Sequence, residues 1–397
     1  MAIKSLTVKG FRSLADVKLG LGDLTVLIGP NNAGKTNLLD LFKFLSQAAE
    51  GQLSEGVQRR GGLGSLLFTD RAGHRAEDIC VDLELETVTP EPLTRGLREP
   101  SSYGFTLKPA LAGFSIAREK LGGTDLRKSV RRIANIGFPV AGPTVSPRQS
   151  AQALNDLELA VSQPAHLPMK PARETRPVRW LLSSCRFYGY PLLDTRPQAL
   201  TRLPQVVRRD AELAPDGSNL ASVLYTLQST EERSVAYNEI CATLSAAFPE
   251  FRELRFPPEG GDGRILLRWV EKGQKYGRSS FDLSDGTLSF LYLATLLLGP
   301  KPSLLICIDE PEVGLHPHAI RLVAEMLQAA AERTQLVVAT HSPILVDAVK
   351  PEQVVIVEKG EDGATQFRRL DAEELKEWLK EFSLGELWLT GHLGERA

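Results

Sequence analysis

Eight consecutive residues of this chain could hold a phosphate group. Residues 29–36 read Gly-Pro-Asn-Asn-Ala-Gly-Lys-Thr, a complete G-x-x-x-x-G-K-[ST] phosphate-binding loop. The glycines at 29 and 34 let the backbone wrap around an anion, because glycine has no Cβ atom. Lys35 would reach the β- and γ-phosphates, and the Thr36 hydroxyl would hold Mg²⁺. The pattern predicts that a nucleoside triphosphate binds here.

Two adjacent carboxylates follow an apolar run much later in the chain. Residues 304–308 read Leu-Leu-Ile-Cys-Ile and lead directly into Asp309 and Glu310. A carboxylate at the carboxyl end of a buried parallel strand sits where ligands bind in open α/β sheets. We therefore expect Asp309 to bind Mg²⁺ beside Thr36. Glu310 would polarise the attacking water and accept its proton.

Two further patterns point to the same chemistry. His341 follows another apolar run, and we expect it to face the γ-phosphate or the attacking water. Ser284, Asp285 and Gly286 stand before a predicted helix. Such residues are ordinary N-cap chemistry, but a helix N-terminus with a serine and a glycine can also bind an anion.

The apolar pattern predicts the elements that position these residues. Residues 24–28 form an apolar strand before the loop, and Leu38, Leu39, Phe42 and Leu45 recur after it at helical spacing. Residues 303–308, 335–339 and 354–357 are nearly continuous Val, Ile and Leu runs, typical of central parallel strands. With an amphipathic helix at 318–333, the tail is predicted to be α/β, with βαβ units.

We divide the chain into four segments. They are a β-rich N-terminal lobe with the phosphate loop (1–100), a basic, Pro-rich and partly helical middle insertion (101–212), a C-terminal lobe (213–358) and a helical tail (359–397).

Charge is segregated along the chain, although the net charge is only −2. Residues 101–180 hold 12 Lys and Arg against 5 Asp and Glu, whereas residues 309–397 hold 17 acidic against 9 basic residues. The basic stretch, with Arg127, Lys128, Arg131 and Arg132, is either a solvated insertion or a DNA-facing surface. A low net charge argues against a globally basic nucleic-acid binder.

The composition favours a cytoplasmic protein without a membrane anchor. The four cysteines, Cys80, Cys185, Cys241 and Cys307, form no C-x-x-C pair and predict neither a zinc site nor a disulfide framework. The N-terminus has no long apolar export region. The longest apolar run, at about 290–298, is too short to span a bilayer.

The order of the motifs resembles a known family. The phosphate loop, Leu-Ser-Asp-Gly at 283–286, Asp-Glu-Pro-Glu-Val-Gly-Leu-His-Pro at 309–317 and Thr-His-Ser-Pro at 340–343 resemble the ABC-type ATPases of the SMC/RecF/OLD branch. Gly-Phe-Arg-Ser-Leu at 10–14 resembles the branch's N-terminal Phe-Arg motif, whose arginine lies near the nucleotide. The resemblance covers roughly residues 1–45 and 280–358, and implies an ABC-type ATPase head with a mixed sheet.

The resemblance also implies an ATP-driven dimer. Ser284, Asp285 and Gly286 of one subunit would close on the γ-phosphate held by the other subunit's loop, so that a homodimer sandwiches two ATP molecules. The nucleotide is ATP because no Asn-Lys-x-Asp guanine motif occurs. The residues expected to contact ATP are Arg12, Gly29, Pro30, Asn31, Asn32, Ala33, Gly34, Lys35, Thr36 and Asn37.

Departures from the family pattern concern the signature and the metal-linking glutamine. Signature sequences of this branch often carry Arg shortly after the glycine, whereas Gly286 is followed by Thr-Leu-Ser. Gln198 and Gln205 are both candidates for the glutamine that links the metal site to the middle lobe.

Missing features narrow the family. The 246 residues between Thr36 and Leu283 hold no sustained heptads and no C-x-x-C, which excludes an SMC coiled coil and a zinc hook. Residues 354–358, Val-Val-Ile-Val-Glu, mimic the opening of a Toprim nuclease domain. The 39 residues after Glu358 contain no Asp-x-Asp pair, so we expect no nuclease activity in this chain.

Three functions remain in competition. The leading hypothesis is an ATPase and sensor subunit of a bacterial anti-phage or DNA-processing system, working with a separate effector such as a nuclease. The second is a RecF-like repair ATPase that binds DNA directly, and the third is a transporter-type ATPase. The third fits poorly, because no aromatic adenine platform stands upstream of the loop.

Overall fold

The computed structural model describes residues 1–86, 100–111, 113–128, 155–167, 169–189, 196, 198–208, 212–300 and 302–394. Contacts divide the chain into two units. The first unit comprises Met1–Gly22, Pro30–Cys185 and Val357–Arg368, and the second comprises Asp23–Gly29, Arg186–Ile356 and Arg369–Ala397. Each unit is assembled from three pieces of sequence. The four contiguous segments proposed from the sequence stay a prediction.

Eighteen strands and eleven α-helices are described. The strands are β1 (Ala2–Phe11), β2 (Leu14–Gly20), β3 (Leu24–Ile28), β4 (Ile79–Glu86), β5 (Ser102–Ala110), β6 (Gly113–Leu121), β7 (Thr124–Asp125), β8 (Cys185–Tyr188), β9 (Gln205–Val206), β10 (Phe251–Arg255), β11 (Pro258–Glu259), β12 (Arg264–Ile265), β13 (Arg268–Glu271), β14 (Arg278–Ser279), β15 (Leu305–Asp309), β16 (Gln335–Ala339), β17 (Val354–Lys359) and β18 (Thr365–Arg369). The helices are α1 (Lys35–Ala49), α2 (Leu53–Arg59), α3 (Leu63–Leu66), α4 (Met169–Ser183), α5 (Leu220–Ser229), α6 (Ser234–Ala247), α7 (Asp285–Leu298), α8 (Pro317–Ala331), α9 (Pro343–Asp347), α10 (Ala372–Leu375) and α11 (Leu384–Leu389).

The first unit contains an antiparallel sheet of six strands. Their order is β2-β1-β4-β5-β6-β7, so the sheet begins at the N-terminus and continues through residues 102–125. In β4 buried residues alternate with more exposed ones, as expected for a strand with one solvated face. β4 is thus a half-exposed strand that ends at Glu86, and residues 87–99 lie outside the described part of the chain.

Helix α1 follows the phosphate loop in the first unit. Leu38, Leu39, Phe42 and Leu45 are all buried, which confirms the helix predicted from their spacing. The helix has no acidic residue in its first turn. No negative side chain of that turn therefore offsets the partial positive charge at the helix N-terminus.

Parallel strands form the centre of the second unit. β17, β3, β16 and β15 pair in this order and in parallel. Every residue of β3, β15 and β16 is buried, which explains their continuous apolar sequences. The predicted central parallel strands are confirmed. Because the strands are parallel, the carboxyl ends of β3, β15 and β16 meet at one edge.

Helix α7 in the second unit is buried over most of its length. All residues from Leu288 to Leu298 are buried, in one core with α5, α6 and α8. The longest apolar run of the sequence is therefore core. Within the described residues, no helix is long and apolar enough to cross a membrane.

Candidate nucleotide-binding site

The phosphate loop has the backbone that its glycines permit. Gly29 and Gly34 have φ values of 146° and 115°, and Asn32 between them has φ 65°. These values lie in the region that glycine adopts freely and that asparagine tolerates. A Cβ atom at Gly34 would overlap the Thr365 hydroxyl. The second glycine of the motif is therefore required by space as well as by conformation.

Thr365 anchors the loop from β18 in the first unit. Its Oγ1 lies 2.8 Å from the Ala33 carbonyl oxygen and 2.7 Å from Ser13 Oγ. Its backbone N–H donates to the Ser13 carbonyl at 2.7 Å. Sequence analysis missed Thr365, because it is a lone threonine 332 residues from Ala33 with no motif around it.

The start of α1 fits an anion. Gly34 is its N-cap, and no side chain of the described residues caps it. Lys35 is buried, and its ammonium donates to the Pro30 carbonyl at 3.0 Å, so that it lies across the loop. Thr36 is exposed. A helix N-terminus with a nearby lysine and no acidic neighbour in its first turn is suited to a phosphate group.

Arg12 and Asn37 are brought together beside the loop. Arg12 has φ 49°, and its guanidinium pairs with Asp40 at 2.9 Å and donates to Asn37 Oδ1 at 3.3 Å. Asn37 in turn donates to Ser13 Oγ at 2.7 Å. Asp40 is shared with Arg60 at 2.7 Å. The network fixes the turn between β1 and β2 to the first turns of α1.

The second unit carries the carboxylates at the edge where its parallel strands end. Asp309 is the last residue of β15 and is only 7% exposed. Glu310 has φ 53°, a conformation that costs about 1–2 kcal/mol for a residue with a Cβ atom. Its N–H donates to the Ala339 carbonyl at 2.8 Å. That bond ties the end of β15 to the end of β16 and turns the Glu310 side chain out of the strand.

His341 and Glu310 lie together, as the sequence predicts from the strands they follow. Their closest atoms, His341 Nε2 and Glu310 Oε1, are 3.9 Å apart. Both side chains remain partly exposed, at 25% and 31%. They can therefore both reach a ligand at this edge of the sheet.

Glu312 is a functional candidate that sequence analysis left without a role. Its Oε1 accepts a hydrogen bond from the His341 backbone N–H at 2.6 Å. Its Oε2 is buried and has no hydrogen-bond partner among the described residues. Burial raises the pKa of Glu312, and the nearby Glu310 carboxylate raises it further, while the bond from His341 opposes the shift. In the sequence, Glu312 could have been identified as the second glutamate of Asp-Glu-Pro-Glu at 309–312.

The signature residues begin α7 in the second unit. Ser284 is the N-cap, and its Oγ accepts a hydrogen bond from the Thr287 N–H at 3.1 Å. Ser284 therefore caps the helix in the ordinary way. A Cβ atom at Gly286 would overlap the Gly314 carbonyl. Gly286 is thus packed against the segment that follows the two carboxylates. This contact was not predicted, although both glycines belong to the motifs already identified.

Arg202 was also missed by sequence analysis. Its guanidinium is buried, and it donates to the carbonyls of Ser280, Phe281 and Leu283 at 2.8, 3.1 and 2.8 Å. It also pairs with Asp285 at 2.7 Å. No sequence signal connects an arginine in a Pro-rich stretch to a motif some 80 residues later.

The two glutamine candidates differ in the structure. Gln205 is buried, and its amide bonds the Leu200 and Gly217 carbonyls and the Ala221 N–H. These bonds hold the start of α5 and leave its amide oriented inward. Gln198 is exposed.

The basic middle stretch is only partly described. Arg127 has 12% of its side chain exposed and pairs with Asp156 at 3.1 Å, so it is held inside the first unit. Lys128 is exposed, while Arg131 and Arg132 lie outside the described residues. Replacing Arg127 would therefore perturb folding, and it is unsuitable as a probe of DNA binding.

The donor set suits a magnesium ion bound together with phosphate. The described residues contain no group of three or more His, Cys, Asp or Glu side chains placed to hold a metal ion alone. Mg²⁺ keeps several waters and is usually bound by one or two carboxylates plus substrate phosphates. The single carboxylate of Asp309 in the second unit is of this kind.

Two family descriptions match the chain. Residues 1–88 match "AAA ATPase domain", and residues 178–347 match "AAA domain, putative AbiEii toxin, Type IV TA system". The two matches include, respectively, the phosphate loop and the strands that carry Asp309 and His341.

Relatives and solved structures agree with this fold. An OLD nuclease of Thermus scotoductus is 26% identical over 410 residues, which cover 96% of this chain and 67% of that protein. The Old nuclease of Escherichia phage P2 is 37% identical over 404 residues, covering 96% and 63%. The chain thus spans about two thirds of the length of these relatives. An Smc head bound to the C-winged helix domain of ScpA superposes with a TM-score of 0.56 at 15% identity, covering 95% of this chain and 100% of that one.

The parallel sheet, the phosphate loop before α1 and the carboxylates after β15 define an ABC-type ATPase head. The family and relative matches support an ABC-type ATPase of the SMC/OLD branch.

Proposed function

We propose that this protein hydrolyses ATP and that ATP drives it between a monomeric and a dimeric state. The observation that carries the proposal is the sheet edge of the second unit, where Glu310 and His341 lie 3.9 Å apart beside the buried Asp309. The chain passes from β3 into the phosphate loop at the same edge, because β3 is parallel to β15 and β16. The loop therefore begins, at Gly29, on the edge that carries Asp309 and Glu310.

Each residue has a separate role in this proposal. The loop from Gly29 to Asn37 and the Lys35 ammonium bind the phosphates, and Arg12 is held near them by Asn37 and Asp40. Glu310 accepts the proton of the attacking water, and His341 hydrogen-bonds the γ-phosphate or that water. Asp309 and Thr36 would hold Mg²⁺, which supplies positive charge to the transferring phosphoryl group.

We propose that a second copy completes the site. Ser284 and Gly286 at the start of α7 form another anion-binding helix N-terminus, in the unit that does not hold Lys35. In the dimer, the signature of one subunit contacts the γ-phosphate bound by its partner. Hydrolysis removes that phosphate and releases the partner.

The effector is a further proposal, supported by what the relatives are. Two relatives are OLD nucleases, and one matching family is described as a toxin of a Type IV TA system. We propose that this ATPase is the sensor subunit of an anti-phage or DNA-processing system and controls a separate effector such as a nuclease. When Glu310→Gln is purified from the native host in the presence of ATP, a second polypeptide should co-purify with it. If that polypeptide is a permease, a transport function is favoured instead.

Phosphate release by purified variants tests the ATPase proposal. Lys35→Ala should lose ATP binding, whereas Glu310→Gln should bind ATP and hydrolyse it about 10²- to 10⁴-fold more slowly. Lys43→Ala, an exposed lysine of the same helix, is the matched control and should retain activity. Wild-type turnover by Glu310→Gln would remove Glu310 as the general base.

A further inference from the structure

The signature residues, Ser284 to Gly286, include one carboxylate, and no basic residue of the same helix offsets its charge. Asp285 stands between Ser284 and Gly286, and 65% of its side chain is exposed. A carboxylate here repels the phosphate that this helix N-terminus is proposed to bind. Helix α7 has no lysine or arginine of its own to compensate.

Arg202 supplies the missing positive charge from another part of the second unit. Its guanidinium lies 2.7 Å from Asp285, and only 6% of its side chain is exposed. A buried, directly paired guanidinium neutralises a carboxylate more effectively than mobile ions in solvent do.

The same guanidinium also fixes the loop that leads into α7. It bonds three carbonyl oxygens of this loop, those of Ser280, Phe281 and Leu283. The Ser280 hydroxyl donates back to the Arg202 carbonyl at 2.7 Å. Because these three carbonyl groups point towards Arg202, they point away from an anion that approaches the start of the helix.

We propose that Arg202 is the positioning residue of the signature: it neutralises Asp285 and orients the start of α7 for a phosphate bound by a second copy. The inference rests on the proposed ATP-driven dimer. Arg202 acts in trans. Its loss therefore damages the nucleotide site formed with the partner subunit's phosphate loop, whereas the phosphate loop of the mutated subunit stays intact. The planar fork of arginine serves several acceptors at once, which lysine cannot.

Mixing two inactive variants tests this division of labour. Arg202→Gln alone should bind ATP like the wild type but lose about 10- to 100-fold in kcat/KM. Lys35→Ala alone should be inactive. A mixture of the two should be more active than either variant alone, because a mixed dimer holds one complete site, made of the intact loop of Arg202→Gln and the intact signature of Lys35→Ala.

A second mixture separates this inference from the proposed function. Ser284→Arg blocks the signature directly, and with Lys35→Ala it should recover activity in the same way. If neither mixture recovers, the shared dimeric site is wrong. If the Ser284→Arg mixture recovers and the Arg202→Gln mixture does not, the role of Arg202 is wrong.

Asp285→Asn tests the charge. Without the carboxylate, less neutralisation is needed, so Arg202→Gln, which removes the positive charge, should reduce kcat/KM less in the Asp285→Asn background than in the wild type. Equal losses in both backgrounds would overturn the neutralising role. Thermal unfolding of each variant identifies losses that come from instability alone.

Discussion

At the scale of single residues, the site combines strain with incomplete hydrogen bonding. Glu310 has a left-handed backbone, and the buried Glu312 leaves Oε2 without a partner among the described residues. Both features cost stability, and such costs concentrate at sites where a ligand or a reaction uses them. They stand within one short segment after β15, beside His341.

Glu312 should make stability depend on pH. Its pKa is raised by burial, so the folded protein keeps this proton to a higher pH than the unfolded chain. Its contribution to the free energy of unfolding is complete below the ordinary value of 4.5 and is lost as pH rises through the raised pKa. Relative to Glu312→Gln, the wild type should therefore become less stable as pH rises above about 4.5 and through the raised pKa of Glu312.

Urea unfolding of both proteins across that window measures the effect. Glu325→Gln, an exposed position on α8, is the control for removing one carboxylate. A constant difference between wild type and Glu312→Gln at all pH values would contradict the buried, raised-pKa carboxyl.

At the scale of elements, the apolar pattern of the sequence predicted the strands and the helix whose burial it reflects. The continuous apolar runs of β3, β15 and β16 and the helical spacing after the loop identified strands and helix, because burial on two faces or on one face leaves a distinct period. These elements then brought Glu310 and His341 together, as the parallel order requires.

Contacts between distant pieces of sequence could not be predicted. Thr365 supports the loop at Ala33, Arg202 holds the signature, and Asp347 accepts the Gly385 N–H at 2.6 Å between α9 and α11. Each is a single polar side chain outside any motif, and its partner depends on tertiary packing. Asp347 had no assigned role from the sequence for this reason.

Glu119 fastens a separate segment to the antiparallel sheet of the first unit. Its buried carboxylate accepts the N–H groups of Ala160 and Val161 at 2.7 and 2.9 Å and the Tyr103 hydroxyl at 3.1 Å. Burial raises the pKa of Glu119, while these bonds oppose the shift. Glu119→Ala should lower the free energy of unfolding by about 3 kcal/mol, because buried donors lose their acceptor.

Chemical denaturation measures this loss. Lys120→Ala changes the next, exposed residue of the same strand and should cost no more than about 0.5 kcal/mol. Equal losses at the two positions would mean that the buried carboxylate does not hold the segment.

At the scale of the whole molecule, the account depends on a second copy. In the proposed dimer, the signature of one copy contacts the phosphate bound by the other, and two-fold symmetry gives two equivalent sites. Of the basic residues named from the sequence, Arg127 is engaged in ion pairs within the first unit, whereas Arg131 and Arg132 lie outside the described residues, so direct DNA binding stays a prediction.

Light scattering of Glu310→Gln tests this central claim most directly. Slow hydrolysis should trap the ATP-bound form, so the variant should have the mass of a dimer with ATP and Mg²⁺ and the mass of a monomer, about half as large, without them. Lys35→Ala with ATP should stay monomeric. If Glu310→Gln binds ATP but remains monomeric at all protein concentrations tested, the ATP-driven dimer is wrong.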